Sequence, residues 1–428
     1  MSIFYNDKEE YNCPLLTLNA LKNLYFSQKE NILAISQKKV SACTLEQAKY
    51  PMLSIELEGK TYSSPVARPD LFEDYYKEEC YINHGRFFVS KSKCAMPLAF
   101  LDETLASSLS QEQMAFRKIN PLSIESIEEV QNEQSFPINW FNAPRVDYSL
   151  NRLLHYTGTE AEHFQDYIIF VNYQKYIPAF IEYAKEHIKS GKAMDLVGPD
   201  NLSYLNNKME TPQAWNDSFS LPQMPAYHIK KPGKKGITII NIGVGPSNAK
   251  TISDHLAVLR PRFCMMAGHC GSLKKEHEIG DYIIGKDHLM FDFNDSQTEM
   301  HQSSFSHELQ SSIFETKTHV GSVVSTSDRN WELRSTKIKK AFQDFDAIGI
   351  DMESAMLVQI LESYGIPCSS FLCISDKPLH REVRLQKMAK LFYKERIINH
   401  LLNSLKIIEI VAQSNLRRSR KNDSPLFR

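Results

Sequence analysis

Six strand-like runs, each followed by a turn or a helix, occupy the chain from Gly236 onward and constrain its fold most strongly. They are ITIINIGVG, RFCMMAGHCGS, DYIIGKDHLMF, HVGSVVSTSD, AIGIDMES and IPCSSFLCISD. Helical segments such as SNAKTISDHLAVL and ESAMLVQILESYG alternate with them, and a last helix is expected at about 387–412. This alternation is typical of an α/β domain built around a largely parallel sheet.

The preceding half of the chain has a different pattern. It mixes short β-like pieces, such as CYINHGRFFVS, with a longer segment in which apolar residues from Phe164 to Tyr183 recur at helical spacing. Gly191 is a stop signal for that predicted helix. Residues from about 194 to 235 are rich in Pro, Asn, Gly and Ser with little periodicity. We therefore predict a smaller α+β domain at 1–195, a linker at 196–235 and the α/β domain at 236–428.

Composition excludes several classes of partner. The net charge of −1 gives no overall field that would attract nucleic acid or an anionic membrane. The eight cysteines form no closely spaced metal-binding pairs, which suggests reduced thiols in a cytoplasm. The start of the chain lacks a basic segment followed by an apolar one, and no run approaches the roughly 18 apolar residues of a membrane span. We expect a cytoplasmic protein.

The ends of five strand-like runs carry polar residues or glycines. In open α/β sheets, ligands bind outside the carboxyl ends of the strands. The residues concerned are Gly243 and Gly245, Gly268 to Ser272, Ser325 to Trp331, Asp351 to Glu353, and Ser375 with Asp376. These five strand ends are predicted to line one crevice.

Two glycine-containing motifs can each be interpreted in more than one way. GVGPSNAK, which includes Ser247, is either a structural turn or a ligand loop at a helix amino-terminus, where anions are attracted. It matches neither the GxGxxG nor the GK[ST] signature, which disfavours dinucleotide and phosphate-loop cofactors. GHCGS places Cys270 beside His269, but a nucleophile elbow requires a helix next. A loop and another strand follow, so a substrate wall or a tight strand exit is favoured.

The two acids at strand ends also have structural and functional interpretations. Glu353 either caps the helix that follows it or accepts hydrogen bonds from sugar hydroxyls. Asp376 either forms a turn or an ion pair with Lys377, or is a partly desolvated acid whose raised pKa lets it donate a proton. For each of the two acids, the structural and the functional interpretation both stay open when its motif is considered alone.

SDRNWELR and the basic tail are less specific. Trp331 is either a core residue or a wall on which a base stacks, and Arg329, Asn330 and Arg334 accompany it. The tail, with Arg417, Arg418, Arg420 and Lys421, is interpreted as a solvated end, because no aromatic residues alternate with the basic ones as in a nucleic-acid patch.

Taken together, NIGVGPSNAK, AGHCGS, GIDMES and CISDKPLH resemble the purine nucleoside phosphorylase and nucleosidase superfamily. The further motifs RPDLF, RVDYSLNRLLHYTGT, MPAYHI, SDRNWELR and the terminal SPLFR are similar to the bacterial AMP nucleosidase family within it, and they span nearly the whole chain. The resemblance implies a phosphorylase-like α/β/α domain with a central mixed sheet and hydrolysis of AMP to adenine and ribose 5-phosphate. The rival functions are a nucleoside phosphorylase and a non-catalytic adenine-nucleotide sensor.

The resemblance also implies roles for individual residues. Glu353 would bind the ribose hydroxyls with Met352 packed against the sugar, and Asp376, next to Ser375, would protonate the purine. The glycine loops, with Gly243, Gly245, Ser247, Gly268, His269 and Gly271, would contact the phosphate or the sugar. Independently of the resemblance, the 5′-phosphate needs donors, for which the backbone N–H groups at Gly243 to Ser247 and the side chains of Arg329 or Arg334 are candidates. Asn330 and Trp331 are assigned to the same substrate site. No metal is required for this chemistry.

One departure from the related phosphorylases is informative. Hexameric phosphorylases place arginines in both glycine loops to hold inorganic phosphate, whereas GPSNAK and MMAGHCG contain none. This favours water as the nucleophile. The resemblance further implies a homohexamer and an amino-terminal domain that regulates the enzyme, with MgATP as an activator and ATP and phosphate as effectors.

Overall fold

The computed structural model describes residues 9–37, 49–57, 59–83, 86–96, 142–206, 221–291, 300–303, 316–331, 346–380 and 386–413. The chain divides into two compact units, Met1–Asn151 and Arg152–Arg428. Arg334, the basic tail and the terminal SPLFR motif lie outside the described residues. Among the helices that are described, none is both long and apolar enough to span a bilayer.

Unit 1 is an α+β unit with a four-stranded antiparallel sheet in the order β1-β4-β2-β3. Its strands are β1 (Glu9–Tyr11), β2 (Lys49–Leu57), β3 (Lys60–Pro65) and β4 (Arg86–Ala95). Its helices are α1 (Pro14–Gln37) and α2 (Glu73–Asn83). Helix α3 (Ala143–Thr157) contains the division between the two units. The predicted α+β character of the amino-terminal region is confirmed.

Unit 2 contains a large sheet and four further helices. The strands are β5 (Tyr167–Val171), β6 (Asp195–Gly198), β7 (Leu202–Ser203), β8 (Ala226–Lys230), β9 (Ile237–Asn241), β10 (Phe263–Ser272), β11 (Tyr282–Phe291), β12 (Met300–Gln302), β13 (Thr318–Thr326), β14 (Gly349–Asp351) and β15 (Cys368–Asp376). The helices are α4 (Tyr176–Lys189), α5 (Pro246–Leu256), α6 (Ser354–Ser363) and α7 (Gln386–Gln413). All six strand-like runs after Gly236 therefore contain a strand.

The sheet of unit 2 is mixed. Its order is β12-β11-β13-β14-β10-β5-β9-β8-β6-β7, and β15 pairs with both β10 and β11. Strand β10 is parallel to β5 and β15 but antiparallel to β14. Prediction of a central mixed sheet is confirmed, while the expectation from the strand and helix alternation alone, a largely parallel sheet, misses the antiparallel pairs.

Helices cover this sheet on both faces. Alternate residues of β5 face opposite sides, so Ile169 packs with α4 and α7 while Ile168 and Phe170 pack with α5 and α6. Each face forms its own buried apolar cluster. The result is the predicted α/β/α arrangement, in which strand ends converge at one edge of the sheet.

The helix predicted from Phe164 to Tyr183 is wrong in its first half. Residues Tyr167–Val171 form the fully buried strand β5, and the helix begins only at Tyr176. A short run of five apolar residues satisfies helical spacing and a two-sided buried strand equally well, and here tertiary burial decides. The predicted stop is in place, because α4 ends at Lys189 and Gly191 has a φ of 72°.

The division of the chain also differs from the predicted boundary near residue 195. Strands β5, β6 and β8 precede residue 236, yet all three belong to the large sheet. The segment 196–235 was predicted to be a linker because it is rich in Pro and Ser. It contains residues of β6 and β8, two strands that pair with each other. Turn-forming residues between short strands resemble a linker when only composition is considered.

Candidate active site

Glu353 lies where three strand ends meet. It follows β14, and its side chain is buried at 1% exposure. Its Oε1 accepts a hydrogen bond of 2.6 Å from the backbone N–H of Gly245, which follows β9. Its Oε2 accepts one of 3.4 Å from Nδ2 of Asn172, which follows β5. The predicted crevice at the strand ends is thus centred on this carboxylate.

Asp351, not Glu353, caps helix α6. Asp351 Oδ2 accepts a 2.9 Å hydrogen bond from the N–H of Ser354, and the hydroxyl of Ser325 donates to Oδ1. Glu353 occupies the cap position without making a side-chain cap bond. The capping interpretation of Glu353 is therefore wrong, and its side chain is directed toward the glycine loop and Asn172 instead.

The surroundings of Glu353 oppose its ionisation. Burial raises the pKa of Glu353, and the neighbouring Asp351 raises it further, whereas the Gly245 N–H and the Asn172 amide lower it. Burial also raises the pKa of Asp351, against the effect of hydrogen bonds from Ser325 and Ser354. Two buried carboxyls this close resist carrying two negative charges. Hydrogen-bond donors from a ligand would favour the ionised form of Glu353.

The GVGPSNAK loop leaves open space beside Glu353. Gly243 and Gly245 have φ values of 66° and 123°, which L side chains rarely adopt. A Cβ added to Gly245 would meet no atom within 4 Å. Pro246 opens α5 immediately afterwards, and Ser247 is exposed. Glycine is thus favoured here by backbone conformation, and the space where a side chain of residue 245 would lie is open.

Asp376 ends β15 beside the same edge. Cys270 is aligned with Ile374 and Gly271 with Asp376, so Ser375 is an extra residue in β15. Such a bulge redirects the side chains that follow it. The Ser375 hydroxyl lies 2.8 Å from Asp376 Oδ1 and 3.1 Å from the carbonyl oxygen of Cys270. It can donate to an ionised Asp376, or accept from a protonated one while donating to Cys270.

Lys377 is buried at 5% exposure, and its Nζ donates a 3.0 Å hydrogen bond to the carbonyl oxygen of Lys275. Its position is thereby fixed by the loop after β10.

The GHCGS motif forms the end of β10 itself. Gly268 faces the side of the sheet that carries α5 and α6, where an added Cβ would lie 2.7 Å from Met266 Cε and 3.4 Å from Asn172 Nδ2. Gly271 pairs with Ile350 on one side and Asp376 on the other. An added Cβ there would lie 3.2 Å from the Ile350 side chain. Both glycines therefore permit close packing next to the site.

His269 faces the opposite side of the sheet, where a hydrogen-bonded chain holds it. His400 Nε2 lies 3.1 Å from the carbonyl oxygen of Phe371 and must donate to it, which leaves Nδ1 as an acceptor. The Tyr176 hydroxyl donates to that Nδ1 at 2.7 Å and accepts from His269 Nδ1 at 3.3 Å. Burial lowers the pKa of His400 to about 3, so His400 is neutral in this chain. It fixes the ring and tautomer of His269.

Cys270 does not have the surroundings of a nucleophile. It is 2% exposed, and burial raises the pKa of its thiol well above the usual range. Reactive cysteines instead occupy electropositive, accessible positions that lower the pKa. Cys373 and the acids Asp351 and Asp376 raise the pKa of Cys270 further. The seven described cysteines are all free thiols.

The remaining predicted site residues differ in how far their side chains are exposed. Met352 is half-buried between Asp351 and Glu353. Arg329 and Asn330 are exposed in the turn after β13. Trp331 is buried at 7% exposure and packs in an apolar cluster with Leu273, Leu289, Val324, Ala347 and Ile350. This packing matches the core interpretation of Trp331.

The described residues include a group whose possible ligand atoms lie close enough together to hold a metal ion, namely Glu160, Glu162 and His163. This group lies away from the carboxyl ends of the strands. Both glutamates are exposed, and Lys230 Nζ lies 3.2 Å from His163 Nδ1. A lysine ammonium at that nitrogen opposes a cation.

Asn172 is the site residue that the sequence patterns missed. It lies in the segment predicted to be helical, so it was not recognised as a strand end. The available signal was the polar residue that directly follows the apolar run YIIFV, the same signal that identified the other strand ends.

Comparisons with known proteins cover most of the chain. A model of the phosphorylase superfamily matches residues 221–396. The AMP nucleosidase of Escherichia coli K12 is 32% identical over 426 residues, covering 87% of this chain and 87% of that relative, and the one of strain O157:H7 gives the same values. Similarity at the sequence level therefore extends through both units.

Two solved structures show weaker similarity. An AMP nucleosidase from Bacteroides thetaiotaomicron is 22% identical, covers 61% of this chain and 98% of that chain, and has a TM-score of 0.43. A 5′-methylthioadenosine/S-adenosylhomocysteine nucleosidase from Campylobacter jejuni is 14% identical, covers 58% and 99%, and has a TM-score of 0.42.

Proposed function

Because the chain belongs to the AMP nucleosidase family, we propose that it hydrolyses the N-glycosidic bond of AMP to adenine and ribose 5-phosphate. One structural observation carries this proposal for the site. A buried carboxylate, Glu353, is held by Gly245 and Asn172 next to open space, on the edge of the sheet where Asp376 also ends its strand. The enzyme would act in purine salvage and in control of the AMP level.

Cleavage of the sugar–base bond develops positive charge on the sugar and negative charge on the base. In the proposed reaction the bond between C1′ and N9 breaks, and its electron pair passes to adenine. Asp376 donates its proton to N7 of the leaving base. Water then forms the new bond to C1′, and its second proton passes to solvent or restores Asp376. Ser375 can accompany Asp376 through both protonation states.

Glu353 would bind the ribose. Its two oxygens each accept one hydrogen bond from the protein and retain lone pairs that can accept from a ribose hydroxyl. That donor offsets the burial that raises the pKa of Glu353, so substrate binding and ionisation of Glu353 favour each other. The resulting negative charge stabilises the positive charge that develops on the sugar.

The donors for the 5′-phosphate can be narrowed within the loop Gly243 to Ser247. Pro246 has no N–H, and the N–H groups of Gly243 and Gly245 donate to Asn241 and Glu353. The backbone groups of Val244 and Ser247, at the amino-terminus of α5, are the remaining candidates in this loop. Arg329 would approach from the turn after β13.

Product analysis tests the proposal directly. Purified protein is incubated with AMP, with and without inorganic phosphate, and adenine and the sugar phosphate are separated by chromatography. We expect adenine and ribose 5-phosphate in both reactions. A requirement for phosphate, with a 1-phosphorylated sugar as product, would instead identify a phosphorylase, and AMP binding without adenine release would identify a sensor.

Asp376→Asn tests the proton donor. Loss of general-acid assistance should lower kcat by roughly 10² to 10⁴, with AMP binding and the melting temperature largely retained. Asp166→Asn is the matched control, because Asp166 precedes β5 at the opposite end of the strands and pairs with the half-exposed Arg262. Its kcat should stay within about twofold of wild type, since exposed ion pairs contribute little. Equal activity in the two variants would exclude Asp376 as the acid.

Further parts of the proposal concern the assembly and its control. We propose a cytoplasmic homohexamer, with unit 1 as a regulatory unit that responds to MgATP and to phosphate. The family resemblance supports these assignments, and the buried free thiols support a reducing compartment. Analytical ultracentrifugation, and AMP kinetics with MgATP or phosphate added, test them.

A further inference from the structure

Asn172 has a buried carbonyl oxygen whose acceptor capacity is unused. Its side chain is 6% exposed and follows β5, on the face of the sheet that carries Glu353. Nδ2 is directed to Glu353 at 3.4 Å. Oδ1 has no hydrogen-bond partner among the described residues. Buried polar atoms in native proteins nearly always have a partner, so this oxygen requires a donor from outside the described protein atoms.

Open space adjoins Glu353, the residue to which the Asn172 amide donates. A Cβ added to Gly245, whose N–H donates to Glu353, would meet no atom within 4 Å. Gly268 lies alongside the amide, and a Cβ there would be 3.4 Å from Nδ2, 3.6 Å from Oδ1 and 2.7 Å from Met266 Cε. A side chain at position 268 would therefore press on the amide and on Met266. A ligand that binds Glu353 on the side of Gly245 is adjacent to the Asn172 amide, because Nδ2 lies 3.4 Å from the same carboxyl group.

We propose that Asn172 is a second ribose-binding residue, whose Oδ1 accepts a hydrogen bond from one of the two hydroxyls while Nδ2 orients Glu353. This inference rests on the proposed hydrolysis of AMP and deepens it, because it assigns one acceptor to each hydroxyl. Each ribose hydroxyl is a donor and needs its own acceptor once water is excluded. Glu353 supplies one, and Asn172 supplies the other without adding a third negative charge beside Asp351.

This pairing makes Asn172 a determinant of specificity between ribose and deoxyribose. A site that hydrogen-bonds a substrate hydroxyl discriminates against an analogue lacking it, because the buried partner is then left without a hydrogen bond. An aspartate at this position would repel Glu353. An apolar residue would bind the deoxy-sugar as well as the ribose.

The test compares three substrates with two enzymes. Wild type and Asn172→Ala are assayed for adenine release from AMP, 2′-deoxy-AMP and 3′-deoxy-AMP. For AMP, kcat/KM should fall roughly 10- to 100-fold in Asn172→Ala, whereas for the analogue that lacks the recognised hydroxyl the loss should be roughly three- to tenfold smaller, because only the orientation of Glu353 is lost there. Equal losses on all three substrates would overturn the proposal, and this is the result expected if a buried water is the sole partner of Oδ1.

A pH profile provides a second, independent readout. Because the Asn172 amide lowers the pKa of Glu353, its removal should move the acidic limb of kcat/KM for AMP to higher pH. An unshifted limb in the variant would contradict the orienting role. Asn172→Ser, which retains a hydroxyl, should recover part of the preference for AMP and replaces the alanine variant if that one does not fold.

The outcomes also separate this inference from the proposed function. If wild type releases no adenine from AMP, the proposed function fails. If wild type releases adenine but Asn172→Ala loses the same factor on every substrate, only the role of Asn172 fails.

Discussion

Both units bury a carboxyl group whose pKa is raised by burial, but the two acids have different surroundings. Asp147 in unit 1 is 4% exposed, and burial raises its pKa to about 7. The hydroxyl of Tyr50 donates to it, and burial and the negative charge of Asp147 together raise the pKa of Tyr25 and of Tyr76. Glu353 in unit 2 is bound by a backbone N–H and an amide at strand ends, next to open space.

The difference lies in what can reach each acid. Asp147 lies among the buried side chains of those three tyrosines, and the charges of Arg68 and Lys29 act on it from unit 1 itself. The residues around Glu353 are glycines with positive φ, a backbone N–H and an amide oxygen in need of a donor. A raised pKa alone therefore does not identify a functional acid. Strand-end position and ligand access distinguish Glu353 from Asp147.

Among the variants that compare the two acids, Glu353→Gln should have the largest effect, and it is the strictest test of this distinction. The neutral amide cannot stabilise positive charge on the sugar, so kcat/KM for AMP should fall roughly 10² to 10³-fold. The free energy of unfolding should be retained, because glutamine is similar in size to glutamate and does not bring an ionisable group into the buried site. Adenine release in the steady state and thermal melting measure the two quantities. Wild-type kinetics in the glutamine variant would mean that Glu353 is as structural as Asp147.

The comparison also explains how far the sequence predicts the site. Glu353, Asp376 and the glycine loops were recognisable because each follows an apolar run at a strand end. The same logic failed for Asn172, since the short run before it also fits a helix, and only burial between two layers of helices makes it a strand. The capping role of Asp351 was likewise not predictable, because Asp351 and Glu353 both suit the start of α6.

Other parts of the fold were out of reach for similar reasons. The domain boundary depends on long-range pairing of β5, β6 and β8 with the rest of the large sheet, which composition does not encode. The position of Trp331 in a core cluster depends on residues from β11, β13 and the loop after β10. Local patterns predict elements, whereas contacts between distant elements determine which side chains share a site.

Tyr176→Phe should have an intermediate effect on kcat/KM. It extends the comparison of the two units from buried carboxyl groups to buried tyrosine hydroxyls. Loss of the hydroxyl breaks the chain that holds His269 in the strand end whose Gly268 and Gly271 adjoin Asn172 and Asp376, so kcat/KM should fall roughly three- to tenfold, as for one hydrogen bond. The matched control is Tyr50→Phe, which removes the buried hydroxyl that donates to Asp147. That variant should retain wild-type kinetics and lose stability. Kinetic losses of the same size in both variants would show that unit 1 also supports the site.

Asp147→Asn should leave activity within about twofold of wild type and alter only the pH dependence of stability. The pKa of Asp147 is about 7 in the folded state, above the 3.8 of an unperturbed Asp, so the unfolded state loses its proton first as pH rises. Folding therefore becomes less favourable between about pH 4 and pH 7, and the loss levels off above pH 7. Linkage limits this contribution to at most about 4 kcal/mol.

Because asparagine cannot ionise, the Asp147→Asn variant should lack this decrease in stability and should be more stable than wild type at pH 8. Denaturant unfolding of both proteins at pH 5 and pH 8 measures this difference in stability. A loss of adenine release as large as that of Glu353→Gln would place Asp147 in the catalytic machinery. The distinction between the two acids would then be removed.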